Sequence, residues 1–210
     1  MQQLDVSQER KLELLAHGLQ GVIGSTDGTF ILGLFDKKHE TLFYTGYKHI
    51  HGWKLLVTVS HFTGVILDLT ICAASVSDPM AYLASGLSSK LGPGVHLLGD
   101  NAFHNKQGII PGYLPAQISH IHTKNPQAAN QMKNFNLAHS HYRIKTENTN
   151  RELKLWATVR GRSDARMHSD KQFGHGTASL ERQLRVIWSL ENMKKVGFFS
   201  DRPNDRFKIW

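Results

Sequence analysis

The stretch that decides the fold reads Gly21-Val22-Ile23-Gly24-Ser25-Thr26-Asp27-Gly28-Thr29-Phe30-Ile31-Leu32. Its β-branched and apolar residues predict a core strand from Val22 to about Leu34. Asp27 interrupts this apolar segment. A carboxylate in a core strand costs free energy unless something compensates it, which makes Asp27 a candidate functional residue. The alternative is a turn aspartate, because Asp-Gly favours turns.

Two further acids stand in similar settings. Asp100 follows a short apolar strand, His96–Leu98, and Glu147 falls on a helix predicted from Asn136 to Trp156. Three converging carboxylates suit Mg²⁺ or Mn²⁺, and a pair of such ions supports phosphodiester cleavage. The hypothesis is a metal-dependent nuclease or strand-transfer site. The alternatives are a loop residue for Asp100 and an exposed helix charge for Glu147.

The rest of the chain indicates alternating strands and helices. Irregular segments are predicted over residues 104–134, which contain three prolines, and over residues 160–179. The remaining predictions are a helix over 7–19, a strand over 41–44, a hairpin of strands 53–61 and 65–73, a helix from Asp78 to about 91, and a last helix over 180–195. The hairpin would be antiparallel, and the helix after it would bring strand 96–98 back parallel. This pattern predicts an α/β fold with a mixed sheet.

The positive charge lies in one part of the chain. Residues 1–132 hold 9 Lys/Arg and 9 Asp/Glu, whereas residues 133–210 hold 16 and 8, so all of the net charge of +8 lies in the C-terminal part. Such asymmetry suggests a face for a polyanion, most plausibly nucleic acid. A generic solvated basic surface is the alternative.

Cysteine content and hydropathy indicate the compartment. The single cysteine, Cys72, excludes an internal disulfide framework and fits a reducing, intracellular environment. No apolar run approaches the roughly 20 residues of a membrane helix, so no membrane partner is expected.

Three basic residues are candidate phosphate contacts. Lys48 and Lys54 precede or begin a predicted strand near the acids, with a polar hairpin edge as the alternative interpretation. Arg143 lies one helical turn before Glu147, so it would orient that carboxylate, contact DNA or form an ordinary intrahelical ion pair. Asp78 is interpreted as a helix cap, because Pro79 follows it.

At these acids the chain resembles the DDE superfamily endonucleases, in particular the Harbinger-type transposases and their domesticated relatives. The similar blocks occur in the family's order over about residues 10–195. They are 21–29 around the first acid, Tyr44-Thr45-Gly46-Tyr47-Lys48-His49-Ile50-His51-Gly52-Trp53-Lys54, Phe62-Thr63-Gly64-Val65-Ile66, Ser77-Asp78, Leu98-Gly99-Asp100-Asn101-Ala102-Phe103, Phe135-Asn136 with His139-Ser140, Arg143 and Glu147, and Leu190-Glu191-Asn192.

The resemblance implies an RNase H-like fold with a mixed five-stranded sheet flanked by helices. It implies DNA cleavage with strand transfer by two Mg²⁺ or Mn²⁺ ions held by Asp27, Asp100 and Glu147, and a nuclear location. On this basis residues 1–20 form a leading helix, 21–160 the catalytic core, and 161–210 a polar loop, closing helix and tail of the same domain.

The sequence departs from the family after the third acid. Where the family has Arg-x-Phe-Gly-x-Leu-Lys, Glu147 is followed by Asn148-Thr149-Asn150-Arg151-Glu152-Leu153-Lys154. The family's upstream helical DNA-binding region has no counterpart here, so a separate DNA-binding protein is expected to supply specificity. The alternative function is a catalytically inactive, transposase-derived module that binds DNA or protein.

Overall fold

The quoted stretch forms strand β1, Val22–Leu32, in the interior of the sheet. The computed structural model describes residues 14–33, 40–156 and 170–196. In the last of these ranges, side chains are described only from Leu180 onward. After β1 come α1 (Glu40–Phe43), β2 (Tyr44–Thr45), β3 (Ile50–Ser60), β4 (Ile66–Ala73), α2 (Asp78–Ala84), α3 (Leu87–Lys90), β5 (His96–Gly99), β6 (Ile109–Pro111), α4 (Pro115–Lys124), α5 (Pro126–Leu153) and α6 (Asp170–Lys195).

The sheet is mixed. β3 pairs antiparallel with β1, β2 and β4, whereas β1, β5 and β6 run parallel. The strand order is β2-β3-β1-β5-β6, and β4 pairs with β3 outside this path. Five strands of three or more residues and the two-residue β2 thus form one sheet with flanking helices. This arrangement is compatible with an RNase H-like fold, so the predicted fold class is confirmed.

Alternation along the central strand β3 gives the sheet two packed faces. Leu55, Val57 and Val59 pack with Leu184 and Ile187 of α6. Leu56, on the opposite face, belongs to a second cluster, which includes Ala81, Tyr82, Leu87, Leu97 and Phe103. Because β3 is covered on both sides, any charged group on it needs a partner.

The region predicted to be irregular contains two helices and a strand. Pro115 and Pro126, taken as breakers, instead lie in the first turns of α4 and α5. Proline is well suited to that position because the first helical N–H groups have no intrahelical acceptor. α5 therefore begins ten residues earlier than predicted, at Pro126.

Two smaller predictions were also wrong. Residues 41–44 were predicted as a strand, but Glu40–Phe43 is a single helical turn whose Phe43 packs edge-on against Trp53 at 5.6 Å. The helix from Asp78 ends at Ala84, and α3 starts only after Gly86, which has a left-handed φ of 65°. Glycine adopts this conformation at low cost.

Other predictions fall partly outside the described residues. The helix predicted over 7–19 is described only from residue 14, and the loop over 160–179 only from Asp170, where α6 already begins. The boundaries at 20 and 160 remain predictions. In the described ranges, every helix is too short or too polar to cross a bilayer.

Candidate metal centre

The three predicted acids come from three elements and line one pocket. β1 and β5 pair in parallel with Ser25 opposite Leu98, so Asp27 and Asp100 each lie two residues beyond this pair. Glu147, exposed on α5, lines the same pocket, which has a volume of about 370 Å³. The pocket therefore brings together residues that are far apart in the sequence.

Asp27 lies within the ladder of β1, opposite Val57, so the alternative of a turn aspartate is wrong. Its side chain is 24% exposed. Asn150 Nδ2 donates to Oδ2 at 3.0 Å, and Arg143 Nη2 lies 3.4 Å from Oδ1. Two groups of α5 thus hold the carboxylate from one side.

The electrostatic environment disfavours ionised Asp27. Burial raises the pKa of its carboxyl to about 6; Arg143 opposes this rise, and the negative charges of Asp100, Asp78 and Glu147 add to it. These acids are close enough to interact through their charges. A cation in the pocket would relieve both the burial and the repulsion.

Asp100 has a structural role as well. It is the N-cap of a 3₁₀ turn, Asn101–Phe103, and its Oδ1 accepts from the Ala102 N–H at 2.9 Å. This bond satisfies an end N–H that the turn itself leaves unpaired. It also fixes the direction of the carboxylate after β5.

Exposed basic residues border the same pocket. Lys48 lies in the turn between β2 and β3, and its Nζ is 4.7 Å from the ring centroid of Tyr47, which is 82% exposed. Arg151, in the last turn of α5, and Lys154, the residue that follows the helix, also line the pocket. A pocket lined both by carboxylates and by exposed cations suits a phosphate backbone beside a metal site.

Lys54 was predicted to contact phosphate, but its side chain is buried and paired with a carboxylate. Its side chain is 7% exposed, its Nζ lies 2.6 Å from Asp78 Oδ1, and it also donates to the Val76 carbonyl. Lys54 therefore belongs to the interior of the sheet. Arg143, another proposed phosphate contact, pairs with Asp27 rather than with Glu147.

Asp78 is the partner of Lys54 rather than a helix cap. Ser77 occupies the N-cap position of α2, and no side-chain capping bond forms there. A Cβ built on Gly28 would lie 2.8 Å from Asp78 Oδ1, so glycine gives this carboxylate room beside β1. The sequence interpretation of Asp78 as a cap was wrong.

A buried polar cluster anchors α5 to β1 next to the acids. Ser25 Oγ and Thr146 Oγ1 are 2.5 Å apart, and Thr146 also bonds the Ser25 carbonyl at 3.1 Å. His61 Nε2 lies 3.0 Å from Ser25 Oγ. Because Thr146 precedes Glu147 and Ser25 lies two residues before Asp27, the cluster sets how these acids face each other.

Comparison with protein families supplies the identification. A family model described as DDE superfamily endonuclease matches residues 30–180. The chain belongs to the DDE superfamily endonucleases. Asp100 and Glu147 lie within the matched residues, and Asp27 lies three residues before them. The Harbinger-type assignment remains a prediction. Neither the search of curated proteins nor that of solved structures gave a significant match.

The donor atoms of this DDE superfamily endonuclease fit a hard divalent cation, because carboxylate and amide oxygens surround the pocket. Asn150 Oδ1 is buried and has no hydrogen-bond partner among the described residues. In the part of the chain that the structure describes, no three His, Cys, Asp or Glu side chains are already gathered to hold an ion. A cation held by all three acids would require their side chains to move closer together; of the three, Glu147 is exposed.

Three polar pocket residues that follow Glu147 in the chain were not predicted from the sequence: Asn150, Arg151 and Lys154. Counting from Glu147, they lie three, four and seven residues along α5, which places them on one helical face. This spacing is a signal that would have found them. Asn150 stands where the resembling family has phenylalanine.

Replacing Asp27 by asparagine should stabilise the metal-free protein. In the folded protein the pKa of Asp27 is raised to about 6 from its ordinary value of 3.8, so Asp27 favours folding below about pH 4, and this contribution is lost as pH rises through 6. Asp27→Asn should raise the free energy of unfolding at pH 8 by about 1–3 kcal/mol, with little gain at pH 4.

Urea denaturation in EDTA at both pH values measures this difference. Asp68→Asn, on β4 outside the pocket, is the matched control. Equal or lower stability of Asp27→Asn at pH 8 would contradict the proposed cost of ionising Asp27.

Proposed function

We propose that this chain is the catalytic domain of a divalent-metal-dependent DNA endonuclease or transposase. The observation that carries the proposal is one pocket lined by Asp27, Asp100 and Glu147 in a member of the DDE superfamily endonucleases. The raised pKa of Asp27 and its repulsion by the other two acids support a cation at this place.

Asp27, Asp100 and Glu147 would hold Mg²⁺ or Mn²⁺. When bound, a pair of such ions supplies an activated water or 3′-hydroxyl and stabilises the departing oxygen of the phosphodiester. Asp27 is the most constrained of the three acids, because it lies within the β1 ladder and its carboxylate is held by two α5 side chains. Asp27 would therefore be the acid shared by the two ions, with Asp100 holding one of them and Glu147 the other.

The remaining pocket residues position the substrate. Lys48, Arg151 and Lys154 are exposed and line the same pocket as the acids, where their charges would neutralise phosphates of a DNA strand. Backbone contacts of this kind carry no sequence information, so we propose that a separate DNA-binding protein supplies the target specificity.

Nicking of supercoiled plasmid tests the function directly. We expect the purified chain to convert supercoiled to open-circular DNA in Mg²⁺ or Mn²⁺ and to stop when EDTA is added. Activity that persists unchanged in EDTA would reject a metal-dependent mechanism.

Replacing the exposed basic residues Arg151 and Lys154 should weaken DNA binding and make the binding constant less sensitive to salt. Each phosphate contact contributes about 0.9 to the slope of log K against log salt, so Arg151→Ala/Lys154→Ala should flatten the slope by about 2. Lys90→Ala, on α3 outside the pocket, should leave it unchanged. Fluorescence anisotropy with duplex DNA at several salt concentrations measures the slopes, and equal slopes for the double variant and the wild type would contradict these contacts.

An inactive DNA- or protein-binding module is the second candidate function. Its support is that Arg143 and Asn150 already occupy both oxygens of Asp27, so Asp27 is compensated in part without a metal. Calorimetric titration with Mn²⁺ separates the two functions. Heat of binding that disappears in Asp27→Asn favours the enzyme, and the absence of any heat favours the inactive module.

A further inference from the structure

The structure assigns Asn150 a role that the three acids do not cover. We infer that Asn150 serves the cation of this pocket as a neutral oxygen ligand through Oδ1, while its Nδ2 orients Asp27. This inference rests on the proposed function, since it names a further residue of the same site.

The orientation of the Asn150 amide follows from its partner. Its nitrogen lies 3.0 Å from Asp27 Oδ2, and an ionised carboxylate only accepts hydrogen bonds, so the atom facing it is the NH₂ group. Oδ1 therefore points away from that bond. One end of the side chain is thus bonded to Asp27, and the other end, Oδ1, is buried without a hydrogen-bond partner among the described residues.

Burial makes the unpaired oxygen costly. Asn150 is 6% exposed, and its Oδ1 has no hydrogen-bond partner among the residues that the structure describes. An unsatisfied buried acceptor costs about 1–3 kcal/mol, and native proteins leave few of them. Asn150 lines the same pocket as Asp27, Asp100 and Glu147. We therefore infer that a cation bound by these acids is the missing partner of Oδ1.

The charge of the site favours a neutral ligand at this position. Asp27 already experiences repulsion from three other carboxylates, Asp78, Asp100 and Glu147. A fourth carboxylate in contact with Asp27 would increase this repulsion in the metal-free protein. An amide oxygen ligates Mg²⁺ or Mn²⁺ without that cost.

Mn²⁺ titration of four proteins tests the inference. Asn150→Ala removes the oxygen, Asn150→Asp keeps an oxygen at nearly the same place, and Asn148→Ala, exposed on the same helix and outside the pocket, is the matched control. Calorimetry gives the Kd for Mn²⁺ without any activity measurement, and circular dichroism confirms that each variant is folded.

We expect Asn150→Ala to weaken Mn²⁺ binding about 10- to 100-fold, the loss typical of residues that support a metal site. Asn150→Asp should bind at least as tightly as the wild type, and Asn148→Ala should match it. Unchanged Kd in Asn150→Ala overturns the inference alone, and so does Asn150→Asp binding as weakly as Asn150→Ala. A wild type that binds no Mn²⁺ overturns the proposed function and, with it, this inference.

Discussion

Asp100→Asn should reduce Mg²⁺-dependent nicking of supercoiled DNA by on the order of 10³-fold or more, the scale of loss when one essential catalytic group is removed. Asparagine keeps the shape of the side chain but removes the negative charge that would hold the ion. The loss should be in turnover, since the basic residues that would contact DNA are untouched.

Asp100→Asn is a clean test because the fold should survive. Asparagine is as good an N-cap as aspartate, so the bond to the Ala102 N–H is retained. Asp68→Asn, which lies on β4 with Thr70 as its hydrogen-bond partner, serves as the charge-matched control and should cleave like the wild type. Equal rates for Asp100→Asn and the wild type would remove Asp100 from the site.

Lys54→Met should destabilise the protein by about 3–5 kcal/mol, the cost of leaving one member of a buried ion pair alone. The side chains of Lys54 and Asp78 are 7% and 22% exposed, and their charged atoms are 2.6 Å apart. Without the ammonium, Asp78 loses its ion-pair partner, and the neighbouring carboxylate of Asp27, with which it interacts, carries the same sign.

The double variant Lys54→Met/Asp78→Asn separates charge from packing. Removing both charges at similar volume should recover most of the lost stability. Urea denaturation followed by circular dichroism measures all three proteins. A Lys54→Met variant within about 1 kcal/mol of the wild type would show that the pair contributes little, as exposed ion pairs do.

Local patterns predicted the central part of this fold. The apolar run around Asp27, the hairpin turn at Phe62-Thr63-Gly64 and the short strand before Asp100 were each visible as strands with turn signals. Their pairing follows from connection rules, because a helical crossover returns the next strand parallel. The fold class and the closeness of Asp27 and Asp100 follow from those elements, whereas Glu147 reaches the same pocket from α5.

The wrong predictions concern segments whose secondary structure is determined by tertiary contacts. Pro126 could be interpreted as the end of one helix or the start of another, and only the packing of α5 on β1 resolves this. The single turn at Glu40–Phe43 is too short to have a pattern of its own. Tertiary structure overrides such weak local preferences.

Only part of the site was predicted, because some of its contacts also depend on tertiary structure. Acids beside glycine in apolar strands stand out in a sequence, whereas the partner of Lys54 lies 24 residues away and that of Asn150 lies 123 residues away. Lys54 was therefore predicted to contact phosphate, and Asn150 was overlooked. Both roles require knowledge of which helix covers which strand.

The measurement that tests the central claim most directly is a crystal structure of the protein soaked in Mn²⁺, with the ions located by anomalous diffraction. We predict manganese in the pocket bonded to oxygens of Asp27, Asp100 and Glu147, at about 2.1 Å as for magnesium-type sites, with Arg143 displaced from Asp27. Manganese that contacts fewer than two of these acids, or an Asp27 still held by Arg143 at saturating Mn²⁺, would contradict it.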